Sequence, residues 1–392
     1  MKQTIKGSFI ISSIILLLVL FSGACNHKKK KTVVDNFSDL IPANIKDSIY
    51  LSASNTYSPE KAKLGRYFFY DRRMSVNQAK SCSSCHDPSY SFTDGYRRSI
   101  GALGDNVQHN APALINIVFN KYLTAADSTL HFPEQQINNP MFHCNPVELG
   151  WTGNETIITG RLNKDSLYSR QLPLLFPGSR DAFSLKNIQD CITSFVKTIL
   201  CFNAPYDKYV YNKDSSALSA SAIKGMKLFF SDKLHCSNCH AGINFSTPLI
   251  TDKNGNKEYY QNTGLYNIDC KGGYPANDAG LIELTKQAAD MGKYKIPTLR
   301  NLAFTAPYLH DGSAPDLATV INMYQYGGRA IATGVNKGDG RKNPFKNPLI
   351  CGFNITVDEK KDLINFLLSF SDSSVCHNPS FSNPFLIDET RR

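Results

Sequence analysis

The feature that most constrains this chain is a five-residue pattern that occurs twice, as Cys82-Ser-Ser-Cys85-His86 and as Cys236-Ser-Asn-Cys239-His240. Two thiols one helical turn apart, followed at once by a histidine, have the spacing to bond both vinyl groups of one porphyrin while the imidazole lies beneath its iron. The pair of motifs predicts two c-type haems, attached through Cys82, Cys85, Cys236 and Cys239, with His86 and His240 as iron ligands. A zinc site built from the two Cys-x-x-Cys knuckles is the first rival, since four thiolates complete a tetrahedron. A thioredoxin-like redox pair is the second. Neither rival explains why a histidine trails both pairs, or why the same segment precedes both.

That segment is an internal repeat. Ser58-Pro-Glu-Lys-Ala-Lys-Leu-Gly65-Arg-Tyr-Phe-Phe-Tyr70 stands before the first motif, and Ser219-Ala-Ser-Ala-Ile-Lys-Gly225-Met-Lys-Leu-Phe-Phe230 before the second. Ser58 followed by Pro59 predicts a helix start, because proline at the first helical position gives up no needed donor. Each motif is followed by a long stretch rich in Gly, Pro and Asn, and then by another helix. In the first half Ile188, Ile192, Phe195 and Ile199 share one helical face. In the second, Thr356 and Glu359 make a capping box ahead of Leu363, Phe366, Leu367 and Phe370. Period-two alternation is scarce. The expected fold is mainly α, with two tandem cytochrome c-like domains over residues 46–205 and 206–375, each with one covalently bound haem, and a tail at 376–392.

The amino terminus reads as an export signal over residues 1–24. Lys2 and Lys6 are its basic region, and Phe9 to Phe21 an apolar stretch shorter than a spanning helix usually needs. Ser22, Gly23 and Ala24 then lead to Cys25, the expected lipidated first residue, although Ser22 departs from the usual aliphatic residue; an uncleaved anchor is the alternative. Either way the folded part is expected outside the cytoplasm, in the periplasm and tied to a membrane, where thiols can oxidise. Residues 25–45 read as a polar tether whose lysines, Lys28 to Lys31, suit anionic headgroups or a plain soluble spacer. Of the formal charge of +10, six lysines lie in this leader and tether, and what remains is mildly basic at most, so no nucleic-acid footprint is predicted. Cys144, Cys191, Cys201, Cys270, Cys351 and Cys376 remain, as disulfides of unknown pairing or as buried apolar residues.

From about Asn55 to Phe370 the chain resembles the bacterial di-haem cytochrome c peroxidases, which include the MauG-type enzymes. The resemblance rests on the haem motifs, His109-Asn-Ala-Pro112, Asn145-Pro-Val-Glu148, Pro297-Thr-Leu-Arg-Asn301 and Thr305-Ala-Pro-Tyr-Leu-His-Asp-Gly312. It implies a peroxidatic first haem and an electron-delivering second haem. Glu148 matches a catalytic glutamate over the peroxidatic iron, and a carboxyl in an apolar pocket can both take and return a proton there. Gln135 matches a glutamine that orients peroxide or water in the same pocket. Backbone carbonyls of Asn110, Thr305 and Pro307 match the ligands of one Ca²⁺.

Three departures qualify the resemblance. Ala102 replaces a histidine that blocks the peroxidatic iron in many relatives, which implies an open five-coordinate haem; His109 is a rival distal ligand, with a hydrogen-bonding structural role preferred. Tyr324 takes the place of a methionine as distal ligand of the second iron, as in MauG-type enzymes, with Met323 as alternative. Ala125 replaces the tryptophan between the haems, with Trp151 and Tyr122 as substitutes and structural packing as the plainer reading of Trp151.

The resulting expectation is a cytochrome-c peroxidase that reduces hydrogen peroxide with electrons from a small periplasmic cytochrome c or cupredoxin. The alternatives are a MauG-like oxidase acting on a partner protein or small molecule, and a plain two-haem electron carrier. A homodimer is a further expectation of the resemblance.

Overall fold

The helix before each motif begins where local chemistry places it. In this computed structural model, which describes residues 37–46 and 57–389, helix α1 (Pro59–Tyr70) opens on Ser58, whose hydroxyl accepts from the amide of Lys61 at 3.2 Å. Helix α2 (Leu185–Lys197) opens on Ser184, α3 (Ala220–Phe229) on Ser219 and α4 (Leu317–Gln325) on Asp316, each side chain capping an orphan amide of the first turn. Helix α5 (Val357–Leu368) carries the expected capping box: the Glu359 amide donates to Thr356 Oγ1 at 3.1 Å, and Glu359 Oε2 accepts from the Thr356 amide at 2.9 Å. Helix α2 stops at Lys197, so Ile199 lies past its end, yet it is still fully buried.

The two halves use one packing device. Helix α1 crosses α2 with Gly65 against the backbone of Cys191, where an added Cβ would stand 1.8 Å from the carbonyl oxygen. Helix α3 crosses α5 with Gly225 against Asp362, where a Cβ would stand 2.0 Å from the carbonyl. Around the first crossing lies a core that includes Phe68, Phe69, Trp151, Tyr168, Ile188 and Phe195. Around the second lies one built on Phe229, Phe245, Phe366 and Phe370, with the Phe245 and Phe370 rings stacked 3.9 Å apart. Among the described residues only two-residue strands form: β1 (Tyr260–Gln261) pairs antiparallel with β2 (Tyr294–Lys295), and β3 (Ala330–Ile331) with β4 (Gly338–Asp339).

A third apolar cluster joins the halves: Tyr266, Tyr274, Tyr294 and Met323 come from the second, with Ala125 packed against them from the first. Polar contacts reinforce it. The His109 ring nitrogen Nε2 lies 3.2 Å from the buried carboxylate of Asp278, which also accepts from the Tyr294 hydroxyl at 2.7 Å and has His310 Nε2 at 3.3 Å. Asp35–Arg392 accordingly forms one compact unit.

Two segments flanking the expected domains pack onto the body. The last part of the tether is not solvated: Phe37, Ile41 and Ile45 are buried, because apolar residues at these spacings put one face of two short helical turns on the protein. The tail is likewise bound. Phe381 inserts into the first core between Phe92 and Phe195, Arg66 donates to the carbonyls of Pro379 and Ser382, and the Tyr70 hydroxyl donates to the Phe381 carbonyl. The leader, the lysine run and Cys25 lie outside the described residues. Among the described residues no helix is long and apolar enough to cross a membrane.

Candidate active site

Each Cys-x-x-Cys-His segment is one tight helical turn. The amide of His86 donates to the Cys82 carbonyl at 3.0 Å, and that of His240 to the Cys236 carbonyl at 2.9 Å. Each imidazole is then oriented by its Nδ1, which meets the carbonyl of Phe92 at 2.9 Å and of Phe245 at 2.7 Å, respectively. Both phenylalanines are left-handed, with φ of 62° and 51°. Bulky residues pay a steric cost in that region, so strain is held at the same spot in both halves to aim a carbonyl at a histidine. With Nδ1 engaged in this way, Nε2 is the atom suited to a metal. Burial favours the neutral ring, lowering the basicity of His86 and pulling His240 down to about 4.

The thiols lie in apolar surroundings. Burial pushes Cys82 and Cys236 up to about 12, and Cys85 and Cys239 to about 11. A disulfide-exchange pair has the opposite character, a lowered thiol. The zinc alternative fails on geometry, since among the described residues no three His, Cys, Asp or Glu side chains converge into a metal-holding group. Paired apolar thiols beside an oriented neutral imidazole fit a thioether-linked macrocycle held by iron. The haem reading of Cys82, Cys85, His86, Cys236, Cys239 and His240 therefore suits the donor set.

Glu148 follows a bend in which Cys144 bridges Val147. Burial raises its carboxyl above the usual range, against the opposing pull of His143 and His109. It is close enough to Cys82 and Cys85 to act on both electrostatically, so it stands beside the first motif. The 99–104 loop is seated on the same segment. The Ala102 amide donates to the Glu148 carbonyl at 2.9 Å, and a Cβ on Gly101 would come within 2.1 Å of the Val147 carbonyl.

Other expected site residues separate. Gln135 is exposed, and its side-chain carbonyl accepts from the amides of His131 at 3.0 Å and Phe132 at 3.2 Å, a helix-capping arrangement. His109 is engaged by Asp278, the hydrogen-bonding role expected of it. Tyr324 is enclosed beside Cys236 and Cys239, and burial raises its phenol, while neighbouring Met323 is buried in the junction cluster. The carbonyls of Asn110, Thr305 and Pro307 accept no protein hydrogen bond among the described residues, while the Asn110 amide donates to the His310 carbonyl at 2.8 Å. Trp151 is no inter-half residue. It is buried in the first core, its indole donating to the Met74 carbonyl at 2.7 Å. Tyr122 does reach across, with ring centres 5.3 Å from Tyr259 and 5.4 Å from Tyr260. None of the ten described cysteines forms a disulfide.

Residues 59–215 match the family described as di-haem cytochrome c peroxidase. The crystal structure of a MauG-like protein associated with microbial copper homeostasis aligns with a TM-score of 0.81 at 37 % identity, covering 92 % of this chain and 100 % of that one. The chain belongs to the di-haem cytochrome c peroxidase family. Cytochrome c peroxidase Ccp of Escherichia coli K12 is 33 % identical over 273 residues, 68 % of this chain and 54 % of the relative, so the chain spans about half of that protein's length. MauG of Methylorubrum extorquens is 27 % identical over 326 residues, 82 % of this chain and 81 % of the relative. The family is one of oxidoreductase enzymes, and its two-haem composition agrees with the duplicated motifs. What reading the sequence missed is the Asp278 cluster and the two left-handed phenylalanines. Asp278 lies in a polar loop that carries no motif, and the phenylalanines read as ordinary core residues.

Proposed function

We propose that the chain reduces hydrogen peroxide to water at the first haem, with electrons passed through the second from a small cytochrome c or cupredoxin. The observation that carries this reading is Glu148, a carboxyl raised by burial and held beside the first motif. Bound haem would supply the iron that holds peroxide and the route for two electrons. Glu148 takes the proton from the oxygen nearer the iron and returns it to the farther one, which leaves as water. Two further protons from solvent and two donor electrons balance the second water. Ala102, seated on the Glu148 segment, brings a methyl group and no ligand, which suits an open iron face. Tyr324 would hold the far side of the second iron, and the three unengaged carbonyls of Asn110, Thr305 and Pro307 offer hard oxygens to Ca²⁺. Gln135 serves in this reading as a helix cap. The site of action is the periplasm, with Cys25 as lipid anchor.

A second reading, a MauG-like oxidase that uses peroxide against a partner molecule, draws on Tyr324 and on the likeness to the MauG-like copper-homeostasis protein. Steady-state consumption of peroxide with reduced cytochrome c, in wild type and Glu148→Gln, tests the first. Full activity in the variant removes Glu148 from the mechanism. Peroxide-dependent oxidation of a partner with no turnover of reduced cytochrome c or cupredoxin favours the second.

A further inference from the structure

Strand β2 carries an ammonium group with no charge to neutralise it among the described residues. Lys295 Nζ donates to the carbonyl of Ile296 at 3.2 Å, and among the described residues no carboxylate pairs with it. The deeply buried cations differ: Arg300 has Asp207 at 2.8 Å, and Lys197 has Glu134 at 2.5 Å. Burial alone acts on the Lys295 ammonium and pulls it down to about 8. The side chain is nonetheless only partly covered, as a group lining an internal cleft is.

The cleft lies at the junction of the halves. Its walls include Asn120 and Tyr122 from the first and Ser246, Thr247 and Tyr259 from the second. The Lys295 amide donates to the Ala125 carbonyl at 2.8 Å, which fixes β2 against the first half. Thr247 pairs with Ala241, the residue after His240, so this wall is continuous with the second motif. Lys295 is close enough to His240 to disfavour a proton on that imidazole. A cation held partly out of water without a counter-charge is disfavoured. An anionic group seated in the cleft removes that disadvantage.

We propose that Lys295 is the counter-cation for a carboxylate of the group attached at Cys236 and Cys239, a propionate of the second haem. This rests on the two-haem reading above. A fixed positive charge beside the macrocycle stabilises its reduced form, so Lys295 also holds the second haem's potential up.

The test uses the full-length haem-loaded protein as wild type, Lys295→Met and Lys295→Arg, with Lys295→Gln as a second neutral variant should the methionine form not fold. Haem is counted by pyridine haemochrome, and each haem is titrated by spectroelectrochemistry. The neutral variant is expected to keep two haems while the reduction equilibrium of the second falls about tenfold, ~59 mV for one electron. The first should move less, and arginine should restore the wild-type value. An unshifted second haem, a larger shift at the first, or an arginine variant that behaves like methionine overturns the proposal. A wild-type count of one haem instead overturns the two-haem reading on which it rests, so the two failures are distinguishable.

Discussion

At the scale of single residues, Glu148 titrates where an ordinary surface carboxyl would not. Burial disfavours its charged form, so its folded pKa lies above the usual carboxylate range. The first proton transfer needs the carboxylate. Turnover should therefore fall as pH drops through that raised value, with the acid limb of kcat/KM displaced upward from pH 4–5, roughly the ordinary carboxylate range. Glu148→Gln should lose about a hundredfold in kcat with haem content unchanged, and should lose the acid limb as well; an intact limb would assign it to another group. Tyr324 makes a separate prediction. Replacing it by methionine puts a thioether where an oxygen ligand is proposed, which should raise the second haem's potential in a spectroelectrochemical titration. Phenylalanine there should change the optical spectrum of the oxidised protein, and an unchanged spectrum would remove Tyr324 as a ligand. The haem-motif residues were legible because the chemistry fixes their spacing along the chain, whereas Glu148 and Tyr324 were reached only through the resemblance to the family. Lys295 was not legible, since the significance of a lysine depends on the absence of a partner, and absence has no sequence pattern.

At the scale of elements, each half is held by a helix pair that touches backbone to backbone at a glycine. Gly65→Ala must drive a methyl into the Cys191 carbonyl, and Gly225→Ala into that of Asp362. Helix separation has to grow, so each should cost about 3 kcal/mol or more, read as a lower midpoint in denaturant. Gly160 is the control. It lies within the helix Glu155–Asn163 with nothing within 4 Å of an added Cβ, so alanine there should stabilise by roughly 0.5–1 kcal/mol through backbone entropy. The helices themselves were readable from Ser58, Pro59 and the Thr356–Glu359 box, because a cap is a local contract between neighbours. The packing of Phe37, Ile41 and Phe381 was not, because each meets residues far away in sequence.

At the scale of the whole molecule, the halves behave as one body because charged groups are buried between and within them. Asp207→Asn would leave the Arg300 guanidinium buried with no counter-charge, and should cost about 3–5 kcal/mol of stability. Asp278 adds a pH dependence. Burial alone would raise its carboxyl, but His109 and His310, with Tyr294 donating, hold it well below the ordinary range. Such a group stabilises fully above the unfolded carboxylate pKa, and the contribution disappears as pH falls toward the depressed folded value. Denaturant midpoints measured from pH 7 downward should therefore fall below about pH 4, and Asp278→Asn should be weaker at neutral pH and less acid-sensitive. A variant with an unchanged acid limb would assign the sensitivity elsewhere.

The insertion of Phe381 beside Phe92 and Phe195 has a further effect on how the molecule is made. A ribosome releases the first half long before the aromatic wedge that closes it, so synthesis leaves the early-born portion with a gap until that wedge is made. A protease cutting after Asp372 would recreate that unfinished state by removing Val375 and Phe381 together, and the fragment should be several kcal/mol less stable for want of a plug made long after the core it fills.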